Sequence, residues 1–243
     1  MHSANLRELE RRAQVHEPRG FRQALESHAG PAIIAELKKA SPSRGLIRAD
    51  FHPGALAVEL EAAGAAALSV LTDAEFFQGS LGNLQQASAA SKLPCLRKDF
   101  VVDEFQLLEA RANHADAVLL IVAALSQQEL ERLAKKAKSY SLDVLCEVHD
   151  EEELERATAA GCDLIGVNSR DLRTFAVDLE TAFRLAKLMP KGVMCVAESG
   201  IENGKDIARL RAAGYQAFLI GESLMKAPSP GNALRTFFAE VGR

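Results

Sequence analysis

The sequence predicts an α/β protein, a (β/α)8 barrel with an N-terminal helical extension. Three observations carry that expectation. Short apolar runs rich in β-branched residues alternate with amphipathic segments from Pro31 to the C-terminus, the pattern of strands separated by helices. The runs are apolar almost throughout and not at every second residue, so both faces of each strand are buried and the sheet is parallel. Eight such runs occur in a chain of 243 residues, and barrels of about 250 residues commonly form one domain. A doubly wound sheet also joins parallel strands by single helices, but no GxGxxG turn follows the first run. The expected organisation is one domain over residues 1–243, with residues 1–30 as the helical extension and 31–243 as the barrel.

Ahead of the barrel, LRELERRAQ and FRQALESHA read as two helices on either side of Pro18-Arg19-Gly20. Strands are expected at AIIAELK (32–38), AALSVL (66–71), PCLRKDF (94–100), DAVLLIV (116–122), LDVLCEV (142–148), DLIGVN (163–168), GVMCVAES (192–199) and YQAFLIG (215–221). Pro53 suits a first helical turn, where its missing N–H is not needed. Ser126 with Glu129, and Asp150 with Glu153, have the spacing of capping boxes, in which each side chain satisfies an otherwise orphan backbone N–H. Gly64, Gly161 and Gly214 close helices ahead of the next strand.

Composition narrows the function classes. Hydrophobic residues make up 48% and charged residues 26%, an ordinary globular balance. A net charge of −4 argues against nucleic acid as a partner and leaves any anionic ligand to local groups. No stretch approaches the roughly 20 apolar residues of a membrane span, and MHSANLRELERR lacks a secretory apolar core. A cytoplasmic protein without a membrane partner is expected. Cys95, Cys146, Cys162 and Cys195 contain no CxxC pair and are expected to be free thiols, not disulfide partners or metal ligands. No cluster has metal-ligand spacing, so neither metal nor cofactor is expected.

Charges appear where the apolar runs end. In such a barrel the strand C-termini open onto the site, so a charge there points to chemistry. The first run ends Glu36-Leu37-Lys38, the third Arg97-Lys98-Asp99, the fifth Glu147, the sixth Asn168-Ser169-Arg170 and the seventh Glu198-Ser199-Gly200. A period of two puts Glu36 and Lys38 on one face, with Leu37 on the other. A purely structural layer of ion pairs would stabilise little, because desolvation cancels their attraction. Lys98 is flanked by Asp99 and Phe100, a mixture of charge and apolar wall expected to hold its ammonium. Ser41-Pro42-Ser43, Ser199-Gly200 and Gly221-Glu222-Ser223 are loops whose backbone N–H groups can face an anion, and barrels often hold phosphate after strands seven and eight. The Glu222 carboxylate must point away from such an anion. His149 follows Glu147 by two and could share its face, but reads rather as a structural loop histidine beside Asp150; Phe77, Phe100 and Phe105 read as either core or an aromatic pocket, and Glu151-Glu152-Glu153-Glu155 as a solvated first helical turn.

Seven segments resemble one family. IAELKKASPSRG (34–45), TDAEFFQGS (72–80), LRKDFVVDEFQ (96–106), CEVHDEEEL (146–154), IGVNSRDLRTF (165–175), AESGI (197–201) and LIGESLM (219–225) resemble, in order, the signature segments of the indole-3-glycerol-phosphate synthase family. The resemblance implies a TIM-barrel lyase of tryptophan biosynthesis. Its substrate would be an anthranilate-bearing deoxyribulose phosphate, closed to an indole with loss of carbon dioxide and water. It further implies Lys98 as general acid, Glu147 as the base of the dehydration, Glu36 as the partner of that base and Lys38 as the cation on the substrate carboxylate. Asn168 and Arg170 would contact substrate, Glu198 would be the remaining acid, and Phe77 and Phe100 would meet the aromatic ring. Ser41, Ser199, Gly200, Gly221 and Glu222 match the phosphate-binding segments. The implied partner is a small phosphosugar, for a monomer able to associate with other enzymes of the pathway.

Three readings compete with this one. An isomerase acting one step earlier on the same pathway wants a cysteine or aspartate pair where this sequence has lysine and glutamate. Lys98 could instead be a Schiff-base nucleophile. A barrel retained only as a scaffold would have no need of costly converging charges.

Overall fold

The computed structural model describes residues 2–242; Met1 and Arg243, the two ends of the expected domain, lie outside the described residues. Eight parallel strands form a closed barrel. They are β1 (Ala32–Leu37), β2 (Ala67–Leu71), β3 (Cys95–Lys98), β4 (Ala117–Ile121), β5 (Asp143–Val148), β6 (Leu164–Asn168), β7 (Met194–Glu198) and β8 (Ala217–Ile220). Each pairs with the next, and β8 returns to β1 through Ala32↔Ala217 and Ile34↔Leu219. All eight lie within the expected runs.

Helices α1 (His2–Ala13) and α2 (Phe21–Glu26) precede the barrel, as the sequence predicts. The others are α3 (Pro53–Ala62), α4 (Leu81–Ala90), α5 (Glu104–Ala112), α6 (Gln127–Ser139), α7 (Glu151–Ala159), α8 (Glu180–Ala186), α9 (Gly204–Ala212), α10 (Glu222–Lys226) and α11 (Pro230–Val241). Ser126 and Glu129 form both halves of a capping box at α6, and Pro53 occupies the first turn of α3. Gly64, Gly161 and Gly214 have φ of 96°, 73° and 113°, the left-handed backbone that ends a helix without a Cβ penalty. At α7 only half of the expected box forms. The Asp150 side chain accepts from Glu153 N–H, but the Glu153 carboxylate turns to the backbone N–H and ring of His149.

The barrel has two apolar layers that follow from strand alternation. Ile33, Leu37, Val70, Leu120, Val148 and Val167 face outward against the helices. Ile34, Leu96, Leu119, Leu145, Val196 and Leu219 face inward, and Phe21 and Leu25 of α2 join them. Two residues beyond these inward positions come Glu36, Lys98, Glu147, Glu198 and Gly221. The charges therefore stand on an apolar floor at the C-terminal mouth. Asp116, 1% exposed, ties the extension to the barrel. It accepts from His16 Nε2 at 2.9 Å, Arg19 Nη2 at 2.7 Å and Cys95 N–H at 2.8 Å.

Two further features depart from expectation. A short antiparallel pair, Ala40–Ser41 with Gly45–Leu46, folds the loop after β1 back on itself. Cys146 and Cys162 form a disulfide, with Cα atoms 6.4 Å apart, which corrects the expectation of free thiols for this pair. The physical reason is alternation: Cys146 points outward, opposite to Glu147, and the turn after α7 brings Cys162 within the Cα separation a disulfide spans. Cys95 and Cys195 are buried and free. No helix among the described residues is long and apolar enough to cross a membrane.

Candidate active site

The ends of β1, β3, β5 and β7 deliver Glu36 with Lys38, Lys98, Glu147 and Glu198 to the same mouth. Lys38 Nζ lies 2.6 Å from Glu36 Oε2, because the two side chains leave β1 on one face, two residues apart. Lys98 Nζ is 3.0 Å from Glu147 Oε2 and 3.7 Å from Glu198 Oε2. Glu36, Glu147 and Glu198 are 4%, 1% and 2% exposed, so three carboxylates converge where few waters can solvate them.

Burial and charge divide the work among these groups. Burial opposes ionisation of Lys98, yet Glu147, Glu198 and Glu36 outweigh it and raise its ammonium above the ordinary lysine value. Glu147 is also penalised by burial, but Lys98 and His149 hold its carboxyl well below the usual range. Glu198 moves the other way. Burial first, and then the neighbouring charge of Glu147, push its carboxyl up, and its Oε1 has no hydrogen-bond partner. Two carboxylates on one ammonium thus have opposite proton affinities, the pattern that separates an acid from a base in one site.

The expected setting of Lys98 needs correction. Asp99 does not hold its ammonium: Asp99 accepts from Thr72 Oγ1 at 2.6 Å and Arg97 Nη2 at 3.0 Å. Arg97 is 4% exposed and also pairs with Glu109 at 2.9 Å. Alternation along β3 sends Arg97 to the helix side and Lys98 into the barrel, which separates the two cations.

On the opposite wall, Asn168 Oδ1 accepts from Ser199 Oγ at 2.8 Å and Arg170 N–H at 3.1 Å. Ser199 and Gly200 have φ of 63° and 76°. A Cβ on Gly200 would lie 2.8 Å from Val177 Cγ1, so its bare backbone accommodates the loop after β6. Arg170 Nη1 donates to the Phe175 carbonyl, leaving Nη2 3.7 Å from Glu222 Oε2. Glu222, expected to point away from an anion, is turned onto Arg44 at 3.0 Å and onto Lys226. Ser41 is buried and its hydroxyl is 3.4 Å from that of Ser43. Phe77 is half-buried and Phe100 is 45% exposed.

Sequence reasoning passed over Gly166, named Gly221 only as a place for an anion, and weighed His149 as structural; the structure gives all three a place beside the carboxylates. Gly166 and Gly221 face inward, and a Cβ at either would overlap a carboxylate, that of Glu198 or Glu36 respectively. They are the gaps into which those side chains fold. His149, read as structural, places Nε2 3.4 Å from Glu147 Oε1. The signal was available for His149, which shares the face of Glu147 two residues earlier, but none marks the glycines without knowing which strands are neighbours.

A family profile described as Indole-3-glycerol phosphate synthase matches residues 1–237. A protein of Koribacter versatilis named Indole-3-glycerol phosphate synthase is 61% identical over 96% of this chain and 90% of its own length. The chain belongs to the indole-3-glycerol phosphate synthase family. A protein of the same name from Acinetobacter baumannii strain ATCC 17978 is 52% identical, covering 97% of this chain and 88% of its own. Among solved structures, a 3-hexulose-6-phosphate synthase superposes with a TM-score of 0.67 at 14% identity, over 86% of this chain and 99% of that one. A Pyrococcus furiosus thiamine phosphate pyrophosphorylase gives 0.65 at 17%, over 87% and 95%. At those identities the likeness concerns the barrel alone, whereas membership of the synthase family rests on the whole-chain matches. Within the family frame, the charged layer and the seven segments coincide in space: each segment ends at, or borders, the same mouth.

Proposed function

We propose that the chain is a decarboxylating carbon–carbon lyase of tryptophan biosynthesis. It closes an anthranilate-bearing deoxyribulose phosphate to indole-3-glycerol phosphate, releasing carbon dioxide and water. The observation that carries the roles of its residues is the placement of Lys98 between Glu147 and Glu198, over a floor of Leu96, Leu145 and Val196.

Lys38 holds the substrate carboxylate, and Phe77 and Phe100 border the aromatic ring. Phosphate is held by backbone N–H groups at Ser199-Gly200 and Gly221-Glu222, with Ser41 opposite. Asn168 and Arg170 contact the sugar. Lys98 gives a proton to the carbonyl oxygen as the ring carbon bonds to the carbonyl carbon. A raised ammonium still serves, because the alkoxide that develops is a stronger base than the amine. Carbon dioxide then leaves with its bonding electrons returned to the ring, favoured by the dry floor. In the dehydration the hydroxyl departs as water with a proton from the protonated site, and Glu147 takes the proton from the adjacent ring carbon. Glu198 is the acid that replenishes the site.

Mixing the protein with the anthranilate deoxyribulose phosphate, without added metal or nucleotide, tests the reading. Indole fluorescence should appear at a rate proportional to enzyme. Folded protein that leaves the substrate unchanged would favour the scaffold reading instead.

A further inference from the structure

His149 has a carboxylate at each ring nitrogen. Its Nδ1 is 2.9 Å from Glu153 Oε2, which also accepts the His149 backbone N–H at 2.8 Å. Its Nε2, buried and without a hydrogen bond, faces Glu147 Oε1 at 3.4 Å. Glu153 could have completed the capping box at Asp150, a bond that would stabilise α7. It is spent on His149 instead. Only an imidazolium has a proton for each of two carboxylate neighbours.

We propose that His149 is a positioning residue, the second cation of Glu147, which keeps that carboxylate oriented and ionised while Lys98 gives up its proton. This rests on the reading of Glu147 as the base. Without His149, the departure of the proton from Lys98 would leave Glu147 with no cation at contact distance. The groups facing Glu147 are Lys98 from β3, Glu198 from β7 and His149 from its own strand end, with Glu36 of β1 acting on Lys98. Without that second cation the Glu147 carboxylate would be the easiest destination for the proton of Lys98, 3.0 Å away, and the substrate would go without. The imidazolium removes that short circuit because protonating Glu147 would then cost its attraction to His149. Although burial favours the neutral ring, Glu147 and Glu153 raise the His149 imidazolium to about 10, so the cation persists across the working pH range.

The test has two arms. In the first, the His149→Gln variant, shown to be folded by circular dichroism, is compared with wild type for kcat, KM and the pH profile of kcat. The expected result is a fall in kcat of about tenfold or more, KM within about twofold, and an acidic limb moved up by about one unit or more because Glu147 has lost a cation. Wild-type kcat and an unmoved limb would overturn the proposal. If His149→Gln does not fold, Glu153→Gln is measured in its place, with the same direction of shift expected and the same overturning result. In the second arm, NMR of the His149 ring in the intact protein should show an imidazolium at pH 8, and Glu147→Gln should lower its titration point. A neutral ring in wild type at that pH overturns the proposal even where turnover is normal. Absence of any product from wild type would defeat the proposed function instead, while the NMR arm still decides the pairing of His149 with Glu147.

Discussion

A Cβ on Gly221 would overlap the carboxylate of Glu36 and lie 3.1 Å from its Cβ. The bare backbone of the first residue after β8 therefore lets the acid of β1 lie across the barrel mouth. Its φ of −122° is open to any residue, so the demand for glycine here is purely one of space.

Gly221→Ala should accordingly act through Glu36. A displacement of that carboxylate by about an ångström is expected to cost on the order of 10²-fold in kcat, with a smaller change in KM. Steady-state kinetics on the folded variant decides it: a rise in KM alone would show that the position serves phosphate and leaves Glu36 in place.

The two lysines should respond differently to arginine. On the proposed mechanism Lys98 releases a proton, and arginine is too weak an acid to do so near neutral pH. Lys98→Arg is expected to lose about 10²-fold or more in kcat, whereas Lys38→Arg keeps its charge and should mainly raise KM. If Lys98→Arg retained kcat while Lys38→Arg lost it, the roles would be exchanged.

Glu198 should lower stability above pH 4.5. Its folded carboxyl is raised above the reference 4.5, so over that window the native state binds more protons than the unfolded one and stability falls as pH rises. Glu198→Gln cannot ionise. It should be more stable than wild type by about 1 kcal/mol at pH 8, with the gain shrinking toward zero as pH falls to 4.5. Thermal melts at pH 8 and pH 5 measure it, and an equal gain at both would show that the benefit comes from packing and not from charge.

Oxidised protein should show two reactive thiols after denaturation, Cys95 and Cys195, and four after reduction. A loop closed over a separation of 16 residues contributes about 3 kcal/mol through the unfolded chain, so reduction should lower the melting temperature. Four thiols in air-oxidised protein would mean that Cys146 and Cys162 stay unbonded.

Much of this protein was legible along the chain. Apolar runs such as the one holding Ile33, Ile34 and Leu37 announced buried parallel strands, and a period of two was enough to put Glu36 with Lys38, since both statements concern residues close in sequence. The family segments likewise marked Lys98, Glu147 and Glu198 as members of one site. What no local pattern contained was pairing across strands. That Lys98 lies on Glu147 and Glu198 and not on Asp99, that Gly166 and Gly221 make room for carboxylates from other strands, and that Glu153 leaves its capping position for His149 depend on which strands become neighbours when the barrel closes. The Cys146–Cys162 bond belongs with them, since the turn after α7 must come back against β5 before the two sulfurs can meet. Backbone periodicity sets which way a side chain points; only closure of the sheet sets what it meets.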